Sequence, residues 1–298
     1  MNLKKIFTLV FFAAALNGAG FGQFTGHIFT ENIKSVRELI SDSDFTKSTF
    51  NGSADYSYSK FKDDLDFSSA LFKGSASFNG TVFAKYTLFD SLMFQGNAFF
   101  DKAIYKNSAY FNSSKFKENG YFRKDTFSKG AYFPYTVFSN GAFFDSAFIN
   151  EQAVFARIHF LSNAYFIHTI FSNNADFNHT HFIGYANFLN SRFLKYASFP
   201  FVVFDSTAYF SSVKIKGSAD FRGAKFRENA DFLSVAFDSD ANFMMDSIKG
   251  SADFPSSTIK GDAFFWGTYI KGTTDFTDVK FSKDAFFIGA TFNGNANF

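Results

Sequence analysis

The sequence predicts an all-β chain wound as a parallel β-solenoid, and three observations carry that expectation. Phenylalanine recurs every 11 residues from Phe45 to Phe298, with Tyr56 the one exception. A second series, also spaced by 11, runs from Phe50 to Phe292 and is Phe, Ile or Tyr at every step. The two interleave with gaps of five and six and no insertion or deletion. A small residue, usually Ala, stands two positions before the first-series Phe, as at Ala76, Ala98, Ala131, Ala175 and Ala219. Small, any, large is a period of two, which puts Ala and Phe on the inner face of a short strand and the residue between them outside. An 11-residue period also suits a right-handed coiled coil. Helical seams, however, need apolar gaps of three and four, and the Gly, Ser and Asn content is wrong for long helices.

Taken in order, the chain opens with a secretory leader. Lys4 and Lys5 precede a short apolar run at residues 6–16, too short for a comfortable span. Gly20 and Gly22 fit the small positions of a cleavage site before Gln23, so residues 1–22 read as a signal peptide. Residues 23–44 lie outside the beat. Ile33, Val36, Leu39 and Ile40 follow helical spacing within residues 32–41, which predicts a short amphipathic helix capping the first coil. Solenoids need caps because an open end exposes strand edges and core side chains. Residues 45–298 form the array, well shown by KGSADFRGAKF at 216–226. Gly and Asn, as at Gly74, Gly96, Gly217 and Gly250, read as turn punctuation.

Ala219, Asp220, Phe221, Arg222 and Gly223, followed by Ala224, Lys225 and Phe226, resemble the pentapeptide-repeat family: a small residue, Asp or Asn, Leu or Phe, then two variable residues. The resemblance covers residues 45–298. One departure is regular: every second unit carries an extra residue, as in a Phe-rich branch of the family. The resemblance implies a right-handed, four-sided β-helix. With one unit per side a coil holds about 22 residues, and a strand spacing of ~4.8 Å makes the array roughly 55 Å long. A buried Phe is worth roughly 1.5–3 kcal/mol, and truncating one mid-array, as in Phe188→Ala, is expected to cost about 3–5 kcal/mol.

Composition excludes several functions. Leader cleavage would leave 27 basic against 27 acidic side chains, so nothing draws the chain toward nucleic acid and no strong acidity mimics it. There is no Cys, hence no disulfide and no thiolate chemistry. An exported chain held by packing alone suits a bacterial periplasm, the cell surface or the extracellular medium. No phosphate-binding loop, dinucleotide fingerprint or zinc motif is visible. Enzymes built on β-helices place their sites on inserted loops, and this array has none, so no catalytic residue and no cofactor are assigned.

Three outward columns remain. His159 and His181 fall 22 apart and so share a column on adjacent coils, about 5 Å from one another. They could share a metal, but neither His168 nor His179 joins them and no third ligand is evident; solvated histidines are the simpler reading, and no metal is assigned. Asp231, Asp253 and Asp275 form a carboxylate ladder that invites a cation, with Arg227, Lys249 and Lys271 four residues earlier expected to neutralise it. The position before the first-series Phe is aromatic over several steps: Phe99, Tyr110, Tyr121, Tyr132, Phe143 and, after Val154, Tyr165; it turns polar at Asp176 and Asn187. Phe99, Tyr121, Phe143 and Tyr165 are expected on one side, Tyr110 and Tyr132 on another. Such a patch suits a protein interface or a glycan platform, although sheet faces favour aromatic neighbours in any case.

The expected function is a non-catalytic exported solenoid serving as a structural or binding surface for a protein or glycan. The alternatives are a topoisomerase-binding DNA mimic, which the resemblance raises and the charge balance disfavours, and a polysaccharide-acting β-helix enzyme, which the missing loops disfavour. Ice binding would need a Thr column, and none dominates. The chain stops on the beat at Phe298; a homodimer through the C-terminal coils and a truncated array are both open readings of that end.

Overall fold

The computed structural model describes residues 22–41 and 43–298. The leader therefore lies outside the described residues, apart from Gly22, which opens the first strand. Every described element is a strand of two residues, and each strand pairs in parallel with the one four elements later. The result is four parallel sheets of 13, 13, 13 and 12 strands, one on each side of a quadrilateral solenoid. Sheet A starts at Gly22–Gln23, sheet B at Ile28–Phe29, sheet C at Ile33–Lys34 and sheet D at Leu39–Ile40. Neighbouring coils are 22 residues apart, as when Ala98 pairs with Gly120 and Phe99 with Tyr121.

Strands this short survive because hydrogen bonding between coils continues past them. Phe166 N donates to Asn187 O at 2.7 Å and His168 N to Leu189 O at 2.9 Å, both beyond the strand ends. Corners alternate between four residues (A to B, C to D) and three (B to C, D to A). That alternation is the source of the five–six beat. In each longer corner the third residue takes a φ between 54° and 68°, usually without being Gly. Between residues 48 and 268 the fourth residue turns inward and is buried, as with Ala103, Ile158 and Val202, whereas His27 and Glu38 of the first coil are exposed. Where it is Thr, its hydroxyl donates to a carbonyl of the coil before: Thr136 Oγ1 to Phe111 O at 2.6 Å, Thr169 Oγ1 to Phe144 O at 2.8 Å.

Inside, the two Phe series become four ring ladders. First-series residues line sheets A and C and second-series residues line sheets B and D. Phe188 on sheet C stacks on Phe166 at 4.9 Å and on Phe210 at 5.0 Å, with planes within 5°. It meets Phe177 and Phe199 of sheet A edge-on, at 5.4 and 5.5 Å and 88°. Parallel along each ladder and perpendicular across the core, the rings satisfy both favoured aromatic geometries at once. The Ala two residues earlier is equally buried and leaves room at the corner for the neighbouring ladder. In the final coil Phe281, Phe287 and Phe292 are half-buried and Phe298 is exposed.

The predicted N-terminal helix is not present. Residues 23–41 are the first coil of the solenoid, with Ile33–Lys34 and Leu39–Ile40 as strands and Arg37 at φ 62°, which no α-helix accommodates. Ile33 N bonds Ser53 O at 2.9 Å and Ser35 N bonds Asp55 O at 2.8 Å, so these amides serve the next coil. The coil escaped the beat because one residue is missing between Ile40 and Phe45: Gly22 pairs with Ser43 and Leu39 with Lys60, a step of 21 instead of 22. Phe24, Phe29, Ser35 and Ile40 are the core positions of this coil, one residue out of phase with an extrapolation from Phe45.

Candidate functional site

The short strands send every intervening side chain outward, so the outer surface is a set of straight columns. Phe99, Tyr121, Phe143 and Tyr165 stand in register on sheet C. Their rings stack at 5.0, 4.9 and 5.1 Å, with planes within 10°. Tyr110 and Tyr132 stand on the opposite sheet A, stacked at 4.8 Å and 8°. The split between two sides is as expected from the spacing. All six rings are half-buried.

Two glycines read as turn punctuation serve a different end. A Cβ on Gly130 would lie 2.4 Å from the Tyr132 ring, and one on Gly141 2.7 Å from the Phe143 ring. Each ring folds back over the glycine two residues before it, and any other residue would push it off the ladder. Arg123 sits 4.9 Å over the Tyr121 ring, held there by Asp101, whose Oδ2 accepts from Nε at 3.0 Å. That hydrogen bond and charge raise the Arg123 pKa further, so the cation is permanent. Asn163 Nδ2 donates to the Tyr165 hydroxyl at 3.1 Å.

Sequence reasoning passed over the sheet between these two columns. Sheet D carries Ile104, Thr126, Phe148 and Ile170 outward in register over the same coils. On sheet A, Leu88 precedes Tyr110 and Val154 follows Tyr132. The apolar surface is thus a belt over three sides, C, D and A. Its signal was available as the residue before each second-series Phe, but that position varies too much to stand out. The belt ends where Asn187 follows Tyr165 and Asp176 follows Val154.

The two polar columns behave differently. Asp231, Asp253 and Asp275 are in register on sheet C. Burial, then the charges of Asp231 and Asp275, push the middle carboxyl of Asp253 up. The Thr277 hydroxyl and amide hold Asp275 down. The expected neutralisation by Arg227, Lys249 and Lys271 does not occur. Arg227 pairs with Asp205 at 3.2 Å, and among the described residues Lys249 and Lys271 make no ion pair, because the B–C corner carries them away from sheet C. His159 and His181 are neighbours on sheet B, ring centroids 6.0 Å apart. His181 Nε2 lies 2.9 Å from Asp205 Oδ2, and with Arg227 paired to the same carboxylate both residues are engaged by one acid rather than arranged as a ligand set. His168 and His179 sit at third positions of longer corners, away from that pair. Among the described residues no group of three or more His, Asp or Glu is placed to hold a metal ion.

Two carboxyls inside the solenoid were also passed over. Asp125 and Asp246 occupy the inward corner position where Thr136 and Thr169 stand. Oδ1 accepts from Ala103 N at 3.0 Å and from Ala224 N at 2.9 Å, respectively, while neither Oδ2 has a partner within the protein. Burial outweighs those amide bonds and pushes both carboxyls well above the usual range, which favours the neutral acid.

The family model described as pentapeptide repeats (9 copies) matches residues 45–92, 155–203 and 202–243. Neither the curated proteins nor the solved structures include a match to this chain.

Proposed function

The chain belongs to the pentapeptide-repeat family, and from that premise we propose that it is a non-catalytic, exported binding rod whose protein partner docks on the aromatic belt. The fold is that of a structural repeat protein, four sheets around a solid core. The observation that carries the proposal is the unbroken outward ladder of Phe99, Tyr121, Phe143 and Tyr165 beside Ile104, Phe148 and Ile170 of sheet D. Those side chains contribute nothing to the core, and a contiguous apolar surface of this kind is a mark of an interface. Export rests on the leader.

Ring orientation favours a protein over a glycan. Sugars stack on exposed ring faces, but in this ladder Tyr121 and Phe143 are each covered on both faces by neighbours 4.9–5.1 Å away. The belt presents ring edges and aliphatic tips, which suit apolar packing. Catalysis finds no support: corners never exceed four residues between strands, so no inserted loop carries a site. Mimicry of DNA is supported only by the three-step column of Asp231, Asp253 and Asp275, too short for a duplex-like field.

The test is the double substitution Tyr121→Ser/Phe143→Ser. Thermal stability should fall but folding should survive, since both residues lie outside the core although three stacked pairs are lost, each worth about 0.5–1.5 kcal/mol. Binding to proteins of the cell envelope, measured on immobilised chain against wild type, should fall at least tenfold. Undiminished binding by the double variant rejects the belt, and turnover in a broad polysaccharide screen rejects the non-catalytic reading.

A further inference from the structure

The edge between sheets A and B departs from its counterpart between C and D. Both hold their third corner residue at positive φ, a conformation that costs a bulky side chain of order 1–2 kcal/mol and a glycine nothing. From Lys102 onward the C–D edge fills that position with Lys, Ser, His, Asn and Asp. The A–B edge places Tyr135, Arg157, His179, Phe201 and Met245 there. Phe201 is 56% exposed and Met245 69%, so burial does not compensate the strain. Trp266, the sole tryptophan of the chain, stands beside them in the next corner and is 52% exposed. Met244 and, one strand on, Tyr269 complete the group.

Two of these side chains lean over a glycine of the following coil. A Cβ on Gly223 would lie 2.8 Å from the Phe201 ring, and one on Gly267 3.8 Å from Met245 Cγ. The tips of Phe201, Met245 and Trp266 thus project along one edge as a ridge, with glycines between them. The flanks differ in charge. On the sheet B side stand Lys225, Lys249 and Lys271, all exposed and, among the described residues, without an ion pair. Arg222 and Arg227 are committed to Asp220 and Asp205; Glu228 lies three residues from Lys225, and Asp253 and Asp275 lie four residues past Lys249 and Lys271, round the corner on sheet C. On the far side of sheet A the corners are mixed, with Asp240 and Asp262 beside the exposed Lys216, Lys260 and Lys283. The sheet B flank is therefore the more basic of the two.

We propose that this edge docks the rod on an anionic bilayer surface. Trp266, Met244, Met245 and Phe201 enter the boundary between headgroups and acyl chains, and Lys225, Lys249 and Lys271 meet the headgroups. Charge selects the occupant: three ammonium groups on the sheet B flank, without an ion pair among the described residues, match an anionic surface. Shape selects it too, because a convex single file of flexible and aromatic tips enters a fluid interface, whereas a rigid partner would need a matching groove. Trp and Tyr are the side chains favoured at that depth.

Trp266 reports on its own surroundings. The experiment uses the full chain with vesicles of phosphatidylcholine alone or mixed with phosphatidylglycerol, reading Trp emission and its quenching by bromine-labelled acyl chains. Vesicle retention is not the readout, since the apolar run at residues 6–16 could hold the chain on any bilayer. The expected result is a blue shift and quenching on anionic vesicles and little of either on neutral ones. Each lysine near a charged surface is worth about fivefold in partitioning, so Lys225→Gln/Lys249→Gln/Lys271→Gln should raise the lipid concentration at half-shift by on the order of a hundredfold. Met244→Ser/Met245→Ser should reduce quenching at matched melting temperature. No shift on anionic vesicles, an equal shift on neutral ones, or indifference to the lysine substitutions overturns the proposal. A shift that needs no lipid and grows with protein concentration also overturns it, in favour of a second copy of the chain on the ridge.

Discussion

Replacing Phe188 by Ala tests the solenoid core at its most constrained point. The ring is fully buried, stacked between Phe166 and Phe210 and met edge-on by Phe177 and Phe199. Removing it forfeits roughly 1.5–3 kcal/mol of transfer free energy. The aromatic contacts on its faces and edges add about 0.5–1.5 kcal/mol per pair, not all of it additive. The neighbours cannot close the gap, because Phe166 N and Phe188 N are bonded to Asn187 O and Tyr209 O at 2.7 and 2.8 Å, which holds the coil spacing. The loss should therefore fall in the upper half of the usual range for this truncation, about 4–5 kcal/mol. Urea unfolding followed by intrinsic fluorescence should show a lower midpoint with an unchanged slope. Phe201→Ala is the matched control: the same substitution on an exposed corner should change stability by no more than about 0.5 kcal/mol. A Phe188→Ala loss below about 1 kcal/mol, or equal losses at the two sites, would refute the ladder core.

Tyr56→Phe and Tyr105→Phe should each stabilise the chain by about 1 kcal/mol, since both hydroxyls are buried without a partner and Phe fits the same ladder; a higher urea midpoint checks this. Thr169→Val should cost about 1 kcal/mol by removing the hydroxyl that serves Phe144 O, read by the same assay. Burial raises Asp125 and Asp246 well above the 3.8 of an unfolded carboxyl. Their contribution is thus complete below that pH and declines as pH rises toward the folded value, by about 1.4 kcal/mol per pH unit for each group. Unfolding of Asp125→Asn/Asp246→Asn at pH 4.5 and 7.5 should accordingly show a smaller fall than wild type; an identical fall would mean that neither carboxyl is neutral.

What the sequence determined by itself was whatever repeats: all-β class, parallel coils of 22 residues, inward Phe and Ala, and the allocation of Phe99, Tyr121, Phe143 and Tyr165 to one side and Tyr110 and Tyr132 to the other. A side-chain period of two inside an 11-residue beat leaves little freedom in those assignments. Features that depend on a break in the beat, or on contact between columns, were decided only in three dimensions. One missing residue before Phe45 disguised the first coil as a helix, because Ile33, Val36, Leu39 and Ile40 happen to fall at helical spacing. The lysines at 249 and 271 were set beside the aspartate ladder by sequence distance, yet a corner turns them onto another side. Gly130 and Gly141 looked like turns until their rings were seen to lie across them. The 22-residue period sets Phe201 and Met245 on one edge, but their exposure, and the lack of an ion pair at the lysines across sheet B among the described residues, are decided only once the four ladders have packed and the coils have stacked.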